Sequence, residues 1–203
     1  MTERKKTGRP KLFSEQKLAE LMFQVFSRKG YASTGIADLT QATGLKPASL
    51  YLAFGNKEGM YAAALAHYKE TWLCELESVL NNPDSTFEVR IRRFLSAAFT
   101  VFSHGDKHPG CIMTFSALAF NNDDGELARH LRDQRMAFRQ WLESEAEQAR
   151  ERGELPGIFT PAEFACFIIT FEQGLALSAL DKPDPGCVQA MIDKLVTLLF
   201  SRS

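Results

Sequence analysis

The segment from residue 34 to residue 57 most strongly constrains the fold of this chain, because two short helical patterns meet there at a glycine. Ile36 and Leu39 share one face of the first pattern, Gly44 lies at the junction, and Leu50 belongs to the apolar face of the second. Two short helices joined by a glycine-containing turn are typical of a helix-turn-helix, whose second helix enters the DNA major groove. The segment therefore predicts a DNA-binding unit.

The charge distribution favours a nucleic-acid partner at the N-terminal end of the chain. Residues 1–60 contain 10 Lys/Arg and 5 Asp/Glu, a net charge of +5, whereas residues 61–203 contain 14 and 20, a net charge of -6. The formal charge of -1 for the whole chain hides this asymmetry. A solvated charged face is the alternative explanation, but the helix-turn-helix lies in the basic part.

Helical periodicity continues through the rest of the chain, and the sequence contains no convincing strand pattern or internal repeat. A long fourth helix is expected from Asn56 towards Leu80, followed by helices at about 86–103, 111–120, 124–153, 161–180 and 185–201. We predict an all-α protein of about nine helices. Residues 1–60 form an N-terminal domain with three helices and a basic arm, and residues 61–203 form a helical C-terminal domain.

The composition favours a cytoplasmic protein with free thiols. Its four cysteines form no C-x-x-C pair, and its first residues, MTERKKTGRPK, are too polar for a secretory signal. We expect no apolar run of the ~18–20 residues that a membrane span needs. Membrane association is therefore not expected.

The residues of the N-terminal region, in their order and spacing, resemble the TetR family of bacterial transcriptional regulators. The matching residues are Gly30-Tyr31, Thr34, Ile36-Ala37-Asp38-Leu39, Ala42-Thr43-Gly44-Leu45, Ser49-Leu50-Tyr51, Phe54 and Asn56-Lys57-Glu58. Residues 66–203 resemble the family only in length and helical pattern. The resemblance implies an all-helical homodimer that binds a palindromic operator through its N-terminal domain. It also implies a C-terminal domain with an effector pocket and the dimer interface, and a repressor that releases DNA when a small molecule binds.

We expect DNA contacts from the start of the second helix, the third helix, the start of the fourth helix and the basic arm. Lys46 and Ser49 can hydrogen-bond to base edges, and Tyr51 can reach a phosphate oxygen. An arginine between glycine and proline, as in the arm, suits a narrow minor groove or a phosphate contact. The expected DNA-binding residues are Arg9, Lys11, Thr34, Lys46, Ala48, Ser49, Tyr51 and Lys57. Gly35 replaces the Ser or Thr that is common in the family, so a hydroxyl that could contact a phosphate is missing.

The phenylalanine-rich body can supply both a core and an apolar ligand cavity. We expect a small apolar or aromatic effector to bind among Phe99, Phe102, Cys111, Phe115, Phe138, Trp141, Phe167 and Phe171. By the family resemblance, the last two helices form a four-helix interface between protomers. The residues expected there are Phe164, Gly174, Leu175, Val188, Met191, Ile192, Leu195 and Leu199.

Three alternatives remain open from the sequence. His104, His108, Cys111 and Met113 offer ligands for a soft metal, or Cys111 is a redox sensor, but their spacing fits no standard zinc signature. The favoured reading is a polar loop followed by a buried cysteine, with no metal or cofactor. A helical interaction module without DNA or ligand binding is the second alternative. An enzyme is the third, and it is disfavoured because the common catalytic and nucleotide-binding motifs are absent.

Overall fold

The computed structural model describes residues 14–82, 84–103, 110–120 and 125–201, and every regular element within these ranges is helical. The helices are α1 (Glu15–Ser33), α2 (Ile36–Thr43), α3 (Pro47–Phe54), α4 (Lys57–Tyr68), α5 (Cys74–Leu80), α6 (Phe87–Phe102), α7 (Ile112–Ala119), α8 (Glu126–Glu151), α9 (Pro161–Ser178) and α10 (Pro185–Phe200). A π-helical segment, Lys69–Leu73, joins α4 to α5 without a break. Counted as one rod with its π segment, α4 and α5 bring the helices described to nine, which confirms the predicted all-α fold.

Local sequence signals set most of the helix starts. The Ser14 side chain accepts a hydrogen bond from the Lys17 backbone N–H at 3.2 Å, so it caps α1. Asn56 caps α4 in the same way, accepting from the Gly59 N–H at 2.8 Å. Pro47 occupies the first turn of α3, where a missing N–H costs nothing. Ser14, Pro47 and Asn56 thus set the starts of α1, α3 and α4.

The N-terminal helices α1 to α4 pack around a small apolar core. Met22, Leu39, Leu50 and Met60 are fully buried, one from each of the four helices. Each therefore contributes about 1.5–3 kcal/mol from removing its side chain from water. Leu50 fixes which face of α3 turns inwards, and consequently which face remains exposed.

A buried arginine ties three helices of the body together. The Arg90 guanidinium donates to the Leu80 carbonyl at 2.7 Å and to the Glu145 carboxylate at 2.8 Å, joining α6 to the end of α5 and to α8. A buried cation is costly unless it is paired, so this network selects one arrangement of the three helices rather than adding much stability.

One expectation about apolar runs is wrong. The segment Pro161–Asp181 is long and apolar enough to cross a membrane by length and composition alone. Within the bundle, however, Phe164, Ile168 and Leu175 from this segment are buried against other helices of the same chain. A helix of a protein core has the same composition as a membrane span, so the finding is weak evidence for membrane association.

Candidate nucleic-acid interface and ligand cavity

The third helix presents one continuous exposed face. Leu50 is fully buried beneath it, whereas Tyr51 is 45% exposed and Leu52 is 90% exposed. The other predicted contact residues on this face, Lys46, Ala48 and Ser49, are also exposed. At the turn before α3, Gly44 has a positive φ of 70° and its N–H bonds to the Thr40 carbonyl at 2.9 Å. This glycine turn sets the crossing of α2 and α3, and it leaves the α3 face free to enter a groove.

The structure places Thr34 differently from the sequence-based expectation. Thr34 is 1% exposed, and its hydroxyl donates to the Gly30 carbonyl at 2.7 Å, so its side chain is not available for a phosphate contact. The neighbouring Gly35 N–H donates to the Asp38 carboxylate at 2.9 Å, which caps α2. Arg9 and Lys11 of the basic arm lie outside the described residues, so their DNA contacts remain a prediction.

The start of α4 is fitted closely against the end of α3. A Cβ atom on Gly59 would lie 1.9 Å from the Phe54 carbonyl oxygen, so only glycine permits this approach. Lys57, at the first position of α4, is half-buried, and its ammonium lies 4.4 Å from the centroid of the Tyr31 ring. Burial lowers the pKa of Lys57.

A cavity of about 120 Å³ lies inside the body. The π segment, α5, α6, α7, α8 and α9 each contribute residues to its walls. Its apolar walls are formed by Leu73, Leu76, Phe94, Met113, Phe138 and Ile169, and its polar lining includes Lys69, Glu77, Cys111, Thr114, Gln134, Arg135, Glu172 and Gln173. The cavity is therefore mainly apolar, with polar groups contributed by several helices, as expected of a small-molecule site.

Only two of the predicted pocket residues, Cys111 and Phe138, line this cavity. Phe99 and Phe102 are buried in the core instead, and Phe115 lines a second, smaller cavity of about 70 Å³ next to α1. Trp141 packs on Phe138 with ring centroids 5.7 Å apart, and Phe167 packs on Phe159 at 5.5 Å. Phe171 is half-buried and does not line the cavity. These six residues do not line this cavity, because helical spacing shows that an aromatic is buried but not which space it borders; their contact with an effector stays a prediction.

Burial shifts the pKa values of Glu172, which lines the cavity, and of Tyr68. Burial raises the pKa of Glu172 to about 7. It also raises the pKa of the Tyr68 hydroxyl well above its ordinary value, and the nearby Cys111 and Glu172 raise it further. That hydroxyl has no hydrogen-bond partner of acceptable geometry within the described part of the chain. The perturbed acid marks this cavity as a candidate binding site, whereas Tyr68 lines the second, smaller cavity.

The structure does not favour Cys111 as a sensor thiol. Cys111 is 3% exposed, and burial raises the pKa of its thiol, with the nearby Glu172 raising it further. Reactive cysteines have lowered pKa values and are accessible, so this environment is the opposite of what a redox sensor needs. His104 and His108 of the suggested metal site lie outside the described residues, and no cluster of three metal-binding side chains occurs among those described.

The exposed apolar face of α9 and α10 differs from the predicted interface. Phe164, Leu175, Val188 and Ile192 are at most 5% exposed within a single protomer, so they belong to its own core. Leu199 is half-buried against the same core. Of the other predicted residues, Gly174 and Met191 are exposed and Leu195 is partly exposed. Three further large apolar residues that were not predicted are also exposed: Leu177, Leu180 and Leu198. We call Leu177, Leu180, Met191, Leu195 and Leu198 the α9–α10 face.

Helix α7 connects the cavity to the N-terminal helices. It begins after Cys111, which lines the cavity, and ends at Phe120. The Phe120 ring lies 4.6 Å from the Tyr31 ring, centroid to centroid, and 5.6 Å from the Tyr61 ring. Because Lys57 covers Tyr31, a packed path runs from the cavity to the start of α4.

The sequence analysis missed Glu172, although the sequence contained a signal for it. Glu172 and Gln173 interrupt the apolar run of α9, from Phe164 to Leu177, and neither is at a helix end. A charged residue inside an apolar helix is unfavourable unless it has a partner or faces a cavity. Arg135 was missed because one charge among many on α8 gives no such signal.

Comparison with known proteins agrees with this architecture. Residues 23–64 match the family model "Bacterial regulatory proteins, tetR family", and residues 88–193 match "Tetracyclin repressor-like, C-terminal domain". The HTH-type transcriptional repressor ComR of Escherichia coli is 30% identical over 176 residues, which cover 87% of this chain and 84% of ComR. The HTH-type transcriptional repressor BdcR of the same organism is 28% identical over 52% of this chain and 53% of its own length.

A solved structure of a TetR family regulator is similar over almost the whole chain. It is a cysteine mutant of CifR complexed with 26-base-pair operator DNA. Its sequence is 25% identical and its TM-score is 0.82, and the match covers 93% of this chain and 98% of that one. A second, from Chloroflexus aurantiacus, is 21% identical with a TM-score of 0.76, and the match covers 90% of this chain and 92% of that one. Two family models match most of the chain, ComR is 30% identical over 84% of its length, and the fold is shared, so this chain belongs to the TetR family of DNA-binding transcriptional regulators.

Proposed function

We propose that this protein is a ligand-responsive repressor, which binds a palindromic operator as a homodimer and releases it when a small molecule occupies the cavity. The observation that carries the DNA-binding part is the exposed face of α3, held by the buried Leu50 in the basic N-terminal region. The similarity to a regulator solved on operator DNA supports it. Residues 1–60 would serve as the DNA-binding domain and residues 61–203 as the effector-binding and dimerisation domain.

On the DNA, the contacts would come from the exposed α3 residues and the cation beside them. Lys46 and Ser49 read base edges, Ala48 allows close approach, Tyr51 contacts a phosphate, and Lys57 adds positive charge at the start of α4. Leu52, which is 90% exposed, suits an apolar contact with a thymine methyl group. Arg9 and Lys11 would add contacts that are mainly electrostatic.

Replacing Lys46 or Tyr51 with alanine tests this assignment. Each change should cost about 1–3 kcal/mol of operator binding, because a contact to DNA is lost while the exposed side chain contributes little to folding. The measurement is titration of a labelled operator with each variant, alongside its thermal unfolding curve. Arg139→Ala, an exposed site on α8, is the control. Unchanged operator affinity in both α3 variants would remove α3 as the recognition helix.

A gain of affinity is expected at Gly35. Its φ of -98° suits any residue, and the nearest atom to a Cβ there is the Asp38 carboxylate oxygen at 3.8 Å, so a side chain fits. Gly35→Ser should raise operator affinity about threefold to tenfold by adding a hydroxyl at the N-terminus of α2, where a phosphate can bind. Gly35→Ala adds the Cβ without the hydroxyl, so equal affinities for the two variants would show that no phosphate lies there.

Release of the operator would proceed through α4 and α7. A ligand that changes the positions of Cys111 and Met113 also moves α7, whose Phe120 end packs on Tyr31. That movement changes the tilt of α4 and consequently the separation of the two α3 helices in the dimer. A hundredfold weakening of DNA binding corresponds to about 2.7 kcal/mol of coupling between the two sites. The ligand must therefore bind the DNA-incompetent conformation better by that amount.

A further inference from the structure

Two carboxylates line the cavity, those of Glu77 and Glu172, and burial perturbs the second. Glu172 on α9 has no hydrogen bond or ion pair with any residue in the described ranges. It shares the cavity with the rings of Phe94 and Phe138, whose centroids lie 6.1 Å apart. An ionised carboxylate is costly to hold away from water without a compensating charge, and the faces of aromatic rings attract cations.

The other charged groups of the cavity do not supply that compensation. Arg135 on α8 donates a hydrogen bond to the Ser116 hydroxyl at 2.9 Å. Burial alone accounts for the raised pKa of Glu172, and the charge of Arg135 does not contribute to it. Lys69 is exposed, and Glu77 is only partly buried. Cys111 and Tyr68 have raised pKa values and stay neutral near pH 7. The cavity therefore has an acidic position without a counter-ion.

We propose that the effector is a small amphiphilic cation, whose charged group pairs with the Glu172 carboxylate while its apolar part packs against Phe94 and Phe138. This inference rests on the proposed function, because it names the class of ligand for the same cavity. The volume of about 120 Å³ suits an apolar body near the size of a benzene ring, by comparison with a cavity of about 150 Å³ that binds benzene.

Three phenyl compounds of similar size and shape test the charge preference directly. They are phenethylamine, a cation; 2-phenylethanol, which is neutral; and phenylacetate, an anion. Isothermal titration calorimetry with the full-length protein at about pH 8.5 should show phenethylamine binding at least about tenfold more tightly than 2-phenylethanol, with phenylacetate the weakest. Glu172→Gln should remove this preference, whereas Glu77→Gln, which changes another carboxylate of the same cavity, should keep most of it.

The pH dependence supplies an independent test. Since the pKa of Glu172 is about 7 in the folded protein, its carboxylate is mostly protonated at pH 5.5 and mostly ionised at pH 8.5. Phenethylamine stays a cation throughout, so its affinity should rise about 30-fold across that range, and the rise should be absent in Glu172→Gln. The unliganded protein should lose stability as pH rises from about 4.5 to about 7, because only the unfolded chain ionises Glu172 freely there.

Two outcomes would overturn the inference. One is equal affinity for phenethylamine and 2-phenylethanol; the other is a cation preference that survives in Glu172→Gln. Operator binding measured in the same samples separates this inference from the proposed function. If phenethylamine binds through Glu172 without weakening operator binding, the ligand class is right and the release model is wrong. If 2-phenylethanol releases the operator and phenethylamine does not, the release model is right and the ligand class is wrong.

Discussion

Replacing Leu198 with aspartate is expected to convert the protein into a monomer and to reduce operator affinity at least about a hundredfold. Leu198 is 74% exposed on α10, and Leu177 on α9 is 61% exposed, so the α9–α10 face leaves apolar area in water unless a second copy covers it. A charge there would be buried without a partner in the dimer. Affinity falls because two linked recognition helices gain about 10²–10⁴ over one through their effective concentration.

Sedimentation and operator titration of the same sample measure both parts of this prediction. Leu118→Asp is the matched control, because Leu118 is 76% exposed but lies on α7, outside the α9–α10 face. A Leu198→Asp protein that remains dimeric with full operator affinity would show that the protomers meet elsewhere. The same loss in Leu118→Asp would show that any exposed charge is harmful.

Gly59→Ala should disable DNA binding even though it adds only a methyl group. The added Cβ would lie 1.9 Å from the Phe54 carbonyl oxygen. The end of α3 and the start of α4 must therefore move away from each other. We expect a loss of roughly 1–3 kcal/mol of stability from the overpacking. We also expect at least about a thirtyfold loss of operator affinity, because α3 moves relative to the rest of the dimer.

The control for this prediction is Gly157→Ala, since a Cβ at Gly157 meets nothing within 4 Å. Thermal unfolding and operator titration at a temperature well below both transitions separate folding from recognition. If Gly59→Ala binds the operator as tightly as Gly157→Ala does, the contact between α3 and α4 does not position the recognition helix.

The helices and the helix-turn-helix could be predicted because their signals are local. Asn56 accepts the capping hydrogen bond at the predicted start of the fourth helix, and Gly44 adopts the positive φ that the turn requires. A helix boundary depends on a few neighbouring residues, which the sequence displays directly. The exposed face of α3 could be predicted from one residue, Leu50, because a helix this short has a single apolar face and Leu50 lies on it.

The faces of the last two helices could not be predicted in the same way. Both α9 and α10 are apolar on more than one side, so sequence periodicity does not distinguish the side that faces the core from the side that faces solvent. Ile192 and Met191 are neighbours in sequence, yet Ile192 is fully buried and Met191 is 44% exposed. Which of them packs inwards depends on the position of α6, a tertiary contact that no local pattern encodes.

The residues that line the cavity could not be predicted from the sequence, for a related physical reason. A cavity is a space that side chains fail to fill, and filling depends on the packing of several helices at once. Phe94, which was not expected in the site, lines the cavity, whereas Phe99, five residues later on the same helix, is buried away from it. Thr34 shows the same limitation, since its hydroxyl satisfies a carbonyl of its own chain.

Selection of bound sequences from a random pool of duplex DNA tests the central claim most directly. The account predicts an enriched palindrome, bound by two protomers, with half-sites whose centres lie about 34–36 Å or a multiple of this distance apart. Lys46→Ala and Tyr51→Ala should bind that palindrome weakly. Enrichment of an asymmetric site occupied by one protomer, or no enrichment at all, would contradict the account.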